Sequence, residues 1–467
     1  MNESFLSAFI PNLSFQLVAR LFSFVLNIYL IRIVDLSLLG VVNVSLFLYY
    51  GTIIFLVREP FRRTFLSNTV PFSSILGHCW LCPLLYVVVA VLLYPLWIYT
   101  SWPSVVGSPT KALFLFGFSA WLESFADPFV IIASLFYLVV AYYFARHCLY
   151  EGRYVLAGGI FPQFHLSVSK RELKTFSSFV WHSFAKHFST EGANFVLTFA
   201  ANMSHENQAV YDAIDKLGSL VVRIVLTPLD QAAEMYFARY LKRGENVNKQ
   251  NEINVRRGTT CLMGLVHLAL LVGLTVCTFA VPYSSLGVWI YGGERFAEKS
   301  AANILRFYCV YVLIIAVNGV IECFATSTMD NIQTVKHGTF LSIASFAQFV
   351  VSAFACRHLG AYGIILGNSL NVLIRIFYNW RRIQEYLNGK VSFTEVLPSF
   401  TIFFLLLFAL ATSSLSFLIF GREKGIIHNS AHLAVGGALF MFVVNYVYHN
   451  DEALAVLLRE YSHVQKD

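Results

Sequence analysis

The sequence predicts an all-α polytopic membrane protein, and three observations carry that reading. Of 467 residues, 57% are hydrophobic and only 13% charged, with a mean hydropathy of +0.64. A soluble domain of this length would need far more polar surface. Apolar runs of about 20 residues recur along the chain, each long enough to cross a hydrocarbon core of about 30 Å as a helix. These runs do not alternate polar with apolar residues, as barrel strands would.

The first run, Leu13–Ile33, follows "MNESFLSAFIPNLS". That stretch lacks a basic n-region and a small-residue cleavage site, so the run is expected to be an uncleaved anchor. The second, Val42–Val57, closes on "VREPFRRTF". On a helix, Glu59 there reaches Arg62 and Arg63 at i+3 and i+4, so the cluster can pair internally. The third, Leu76–Tyr99, holds Cys79 and Cys82 without a second cysteine pair or histidine ligands nearby. Buried thiols are expected there rather than a metal or redox site. The fourth, Lys111–Ile132, runs on apolar to Ala145 and carries Glu123 and Asp127 one turn apart, beside Pro128. Phe179–Ala201 and Tyr211–Thr227 are the fifth and sixth runs. Six more follow at Thr260–Val281, Ile304–Thr328, Gly338–Cys356, Tyr362–Trp380, Thr401–Phe420 and Ala431–His449. The total is about twelve spans. "IYGGERF" between two of them reads as a turn relaxed by its glycines, not as a phosphate loop.

With a cytosolic N-terminus, the loops after even-numbered spans face the cytosol. Those loops hold most of the 33 Lys and Arg residues, among them Arg58, Arg62, Arg63, Lys170, Arg171, Arg239, Lys242, Arg256, Arg381 and Arg382. The bias favours both termini in the cytosol. The net charge of +7 fits this positive-inside pattern better than nucleic-acid binding. Asn202 begins an N-M-S sequon on an expected lumenal loop, whose glycosylation would report topology.

Several polar residues cannot be moved into loops. Arg20 and Asn27 lie in the first span, Lys186 and Glu191 in the fifth, and Lys216 and Arg223 in the sixth. Asn318 and Glu322 lie in the eighth, and Asn368, Asn371 and Arg375 in the tenth. A charge at mid-bilayer costs about 3 kcal/mol even on lenient scales, so such residues face water or one another. One set of paired charges would be structural. Several charges, with cations outnumbering anions, suggest a cavity for an anionic ligand. Glu123 and Asp127 form either a coupling-ion site or a structural pair at a kink. The chain has no D-x-D, H-E-x-x-H, G-x-S-x-G or Walker loop. No enzyme, cofactor, metal or nucleotide role is therefore expected. A weak internal similarity relates "GVVNVSLFLYYGTIIFLVREPFRRTFL" to "AVYDAIDKLGSLVVRIVLTPLDQAAEMYF", each running to a proline, as two related transporter lobes would.

The blocks "VARLFSFVLNIYLIR", "LGVVNVSLFLYYGTIIFLVREPFRRTFLS", "FSAWLESFADPF", "TEGANFVLTF", "VYDAIDKLGSLVVRIVLTPL", "YCVYVLIIAVNGVIECF" and "GNSLNVLIRI" occur in order over nearly the whole chain. Together they resemble the Rft family of the multidrug/oligosaccharidyl-lipid/polysaccharide exporter superfamily. The resemblance implies a two-lobed helical bundle, typically of about fourteen spans, around a central cavity. It implies a multi-pass endoplasmic-reticulum membrane protein. The implied role is bringing dolichol-diphosphate-linked Man5GlcNAc2 from the cytosolic to the lumenal leaflet for N-glycosylation. The terminal "SHVQKD" is not a K-D-E-L signal, so the compartment rests on the resemblance. After "FADPFVIIA" the family continues with roughly fifty residues that this chain lacks, enough for about two spans. The resulting run Leu113–Ala145 would be about 50 Å long as one helix.

The expected division is an incomplete N-terminal lobe over 1–145, a cytosolic loop over 146–178 and a C-terminal lobe over 179–380. A loop over 381–400, two last helices over 401–449 and a cytosolic tail over 450–467 complete it. The expected partners are the lipid bilayer and the lipid-linked oligosaccharide. The diphosphate needs cations, and an arginine fork suits its oxygens. Arg58, Arg62 and Arg63, beside Glu59, would meet it at the cytosolic face. Arg20, Arg32, Lys186, Arg223 and Arg375, with Glu191 among them, would line a path inward. Asn27, Asn318, Glu322, Asn368 and Asn371 would bond sugar hydroxyls. Two rival readings are an ion-coupled antiporter using Glu123 or Asp127, and a non-transporting scaffold of the same pathway.

Overall fold

The computed structural model describes residues 22–66, 78–100, 102–131, 170–200, 203–245, 247–297, 300–389, 391–420 and 425–457. These residues are overwhelmingly helical, and nine of their helices are long and apolar enough to cross a membrane. They group into two compact units. One is built from the described parts of Ser37–Ala201, the other from those of Met1–Leu36 and Asn202–Asp467.

The first unit packs on helix α2, Leu36–Phe65; helix α1, Phe22–Ile33, precedes it and belongs to the second unit. Leu48, Ile53, Val57, Phe61 and Phe65 bury one stripe of α2 at near four-residue spacing. Against it lie α3, Cys79–Ile98, and α4, Pro109–Ile131. Ser108 caps α4 by accepting from the Lys111 amide, and Pro109 suits the first helical position. A tight turn at Phe125–Ala126 interrupts α4 just before Pro128. Helix α5, Lys170–Phe195, packs along α2 through Phe176 on Phe61 and His187 on Phe55. A wide π turn lies within α2 at Val41–Leu46, and another follows the end of α5 at Val196–Ala200. Trp97 Nε1 donates to Ser45 O inside the first of these. Cys79 and Cys82 are fully buried thiols in this core.

The second unit begins with α1, whose Phe22, Val25, Tyr29 and Ile33 are exposed, as a lipid-facing side requires. Helices α6, His205–Gly218, and α7, Thr227–Tyr240, are joined through a π turn at Val222–Leu226. Helix α8, Glu252–Gly292, has 41 residues, about 60 Å, so it extends beyond the hydrocarbon layer. Asn251 caps its start, and Gly293, at φ 72, ends it in a conformation that glycine tolerates. The rest are α9, Ala301–Thr328; α10, Asn331–Leu359; α11, Ala361–Tyr386; α12, Phe400–Phe420; and α13, Ile426–Asn450. Asp330 and Gln333 start α10 with a reciprocal capping box. Leu226, Phe237, Leu262, Val266, Ile321 and Phe324 form its main core.

Every expected span from the second onward corresponds to a described helix or helix pair. Helix α5 and the α6–α7 pair are more polar than the nine apolar helices, because the interior charges are concentrated there. Arg20, Asn202 and the run from Ile132 to Ala145 lie outside the described residues.

Candidate functional site

The second unit contains a cavity of about 420 Å³ lined by Ser23, Phe24, Asn27, Lys216, Leu220, Arg223 and Tyr291. Three helices build it. The Phe24 ring stacks on Tyr291 at 5.4 Å, docking α1 against the end of α8. Arg32 reinforces that contact by donating to Ile290 O and to Trp289 O, among the last carbonyls of α8. A cation there also complements the negative end of the helix dipole. The third wall is α6 with the π turn that follows it. Lys216 and Arg223 are seven residues apart, which returns to the same side after about two turns.

The residues lining the cavity carry two cations and no carboxylate. Asp212, one turn before Lys216, holds its ammonium at 2.8 Å. Asp215 accepts from Tyr308 Oη at 2.9 Å. An anion with several oxygens would find an ammonium, a guanidinium, an amide and a hydroxyl on one small surface. Asn27 and Arg223, named from the sequence, meet here. Ser23 and Tyr291 were not named, because serine and tyrosine in a span carry no signal until the helices are packed.

Elsewhere in this unit, Glu322 of α9 lies against the Arg375 guanidinium of α11, accepts from Asn318 Nδ2 at 2.9 Å and lies 3.8 Å from His337 Nε2. Gln348 of α10 bridges Asn368 and Asn371, donating to the first and accepting from the second. These five named residues thus bond one another or a neighbouring helix, as polar groups in spans commonly do. Around Glu322, Asn318 Oδ1 and Arg375 Nε are buried and have no hydrogen-bond partner among the described residues.

In the first unit, Arg58 sits between two carboxylates of α4. Its Nε donates to Asp127 at 2.7 Å and its terminal nitrogen to Glu123 at 2.8 Å. Tyr86 Oη donates to Asp127 at 2.7 Å, and Tyr50 Oη donates to Glu123. Arg63 pairs with Glu59 at 2.9 Å, the i,i+4 contact expected from the sequence, and Lys186 approaches the same carboxylate at 3.6 Å. Arg62 is exposed, and Glu191 accepts from Asn194 at 2.7 Å. Arg58 is therefore held by acids of its own unit, whereas Arg62, Arg63 and Lys186 leave a cationic excess around Glu59.

The family model described as "Rft protein" matches residues 4–161 and 140–460. A Caenorhabditis elegans protein named Man(5)GlcNAc(2)-PP-dolichol translocation protein RFT1 is 30% identical over 99% of this chain and 100% of its own length. That alignment spans 524 positions against 467 residues here, so the relative carries residues this chain lacks. Proteins of the same name from Xenopus tropicalis and Mus musculus are 28% and 29% identical, covering 96% and 90% of this chain and 94% and 90% of theirs. Among solved structures, the lipid II flippase MurJ in an inward closed conformation is similar, with a TM-score of 0.57. The identity is 11%, and the match covers 93% of this chain and 98% of that one. At that identity the likeness establishes the exporter-type helical fold.

Proposed function

The chain belongs to the Rft protein family, and on that premise we propose that it translocates dolichol-diphosphate-linked Man5GlcNAc2 across the endoplasmic-reticulum membrane. The observation that carries the reading to residues is the cavity lined by Lys216 and Arg223. A diphosphate is the one strongly charged part of such a lipid, and moving it through hydrocarbon unaccompanied is prohibitive. Lys216 and Arg223 replace its water and counterions, with the diphosphate displacing Asp212 from the lysine. Asn27 and Ser23 bond the adjoining sugar or phosphate oxygens. The polyprenyl tail stays in lipid. Both termini lie in the cytosol, and movement is downhill or ion-coupled, without a nucleotide.

The test is complementation of eukaryotic cells lacking their own family member, with the accumulated dolichol-linked oligosaccharides sized and quantified. This chain is expected to relieve the accumulation of the five-mannose species. Lys216→Ala combined with Arg223→Gln is expected not to, at matched expression. Full relief by that variant would remove the cavity from the mechanism.

One observation favours ion coupling as an addition. Among the described residues Arg58 faces two carboxylates, Glu123 and Asp127, a formal excess of one negative charge. A proton or sodium ion taken up beside Glu123 would balance it, and translocation would then follow a proton or sodium gradient in reconstituted vesicles.

A further inference from the structure

The π turn at Val222–Leu226 is written into its sequence. Thr227 directs both its amide and its hydroxyl to Val222 O, the latter at 2.9 Å. The amide spans five residues where an α-helix spans four. Pro228 follows and has no N–H to offer Ile224 O, so the ordinary helical bond at that step cannot form. Upstream, α6 ends in a turn at Ser219, after which the Arg223 amide bonds to Ser219 O at 3.0 Å.

The surroundings explain why a wide turn is needed. Gly218 sits so close to Tyr308 of α9 that a Cβ would lie 2.3 Å from the ring. Further on, the Asp230 carboxylate would lie 2.3 Å from a Cβ at Gly319, and Cys323 Sγ donates to Asp230 O at 3.4 Å. The α6–α7 strand of chain is thus pinned to α9 at both ends. Between the pins it has one residue more than α9 has between Tyr308 and Gly319. A π turn absorbs one extra residue. One residue turns an α-helix by about 100°, so straightening the turn would load that rotation onto the stretch between the two contacts, where Arg223 lies, while Lys216 stays before the first of them.

We infer that Thr227 and Pro228 are positioning residues: the π turn they enforce holds Arg223 in the cavity beside Lys216. This rests on the reading of that cavity as the diphosphate seat. The turn itself is tested without ligand. In the full-length protein in nanodiscs, the thiol introduced by Arg223→Cys is reacted with a charged methanethiosulfonate reagent and followed by mass spectrometry of that peptide. Adding Thr227→Val and Pro228→Ala is expected to slow its modification at least about tenfold. An unchanged rate would overturn the inference, whatever the cavity binds.

The second measurement uses geranylgeranyl diphosphate as probe. Thr227→Val with Pro228→Ala is expected to weaken binding about tenfold, and the melting temperature, read alongside, separates this from unfolding. The same pair added to Arg223→Gln is expected to cost nothing more, because the residues act through Arg223. Equal weakening with and without Arg223 would overturn the inference. If the unaltered protein fails to bind the probe while the thiol result holds, the diphosphate reading fails and the positioning stands.

Discussion

Glu322 touches three neighbours at once: Arg375, Asn318 and His337. Its carboxylate makes the Arg375 guanidinium tolerable within a span. Glu322→Ala removes that cation's paired carboxylate; a fully buried pair broken in this way costs about 3–5 kcal/mol, and this half-buried one is expected to cost less. The expected outcome is a drop in melting temperature in detergent. Replacing both residues, Glu322→Gln with Arg375→Gln, is expected to cost clearly less. A single variant no worse than the double would show that the two charges are not coupled. How far such contacts are legible depends on sequence distance. Glu59 and Arg63 are one turn apart, so the helix alone brings them to 2.9 Å. Arg58 shows the opposite case. Its partners Glu123 and Asp127 lie 65 and 69 residues away on α4, and only packing selects them over solvent or a ligand.

At the scale of elements, α10 and α11 form a hairpin around Gly360, which adopts φ 56. A Cβ at Gly363 would stand 2.4 Å from the Ala355 carbonyl carbon, and one at Gly367 would stand 2.0 Å from Ser352 Oγ. The G-x-x-x-G spacing lets two helix backbones approach where lipid offers no hydrophobic drive for helix association. Gly363→Leu must move backbone, so a loss of about 1–3 kcal/mol or more is expected. Gly367→Ala meets the end of a small side chain and is expected to lose less. Thermal unfolding of both in detergent checks the order, and a larger loss at Gly367 would refute the backbone-contact account. The spacing is visible in the chain, but which neighbouring helix it faces is not. The same is true of the π turn before Pro228. Proline announces an interruption, yet whether the helix kinks, ends or widens depends on how α9 pins both sides of it.

For the whole molecule, the orientation we propose from the distribution of Lys and Arg has both termini cytosolic. A glycosylation acceptor appended after Asp467 is therefore expected to stay unmodified. One carried on a flexible insertion at Gly107, between α3 and α4, is expected to be modified. A Cβ at Gly107 meets open space, so an insertion is tolerated there. Modification of the first and not the second would invert the topology. The helical, many-spanning character follows from composition alone, because hydrocarbon cannot satisfy backbone polar groups and a helix satisfies its own. The order of the helices likewise follows from runs of apolar residues, whose lengths the bilayer sets. Which charges meet is a different matter. Attraction between ions weakens as they separate, so the roles of Arg32, Arg58, Arg223 and Arg375 depend on positions that folding assigns. Arg32 caps α8, Arg58 is held by two acids, and Arg375 pairs with Glu322. Arg223 lines a cavity with Lys216, inside the widened turn at Val222–Leu226. Four similar cations in a string of letters thus acquire four different environments through the packing of helices distant in sequence.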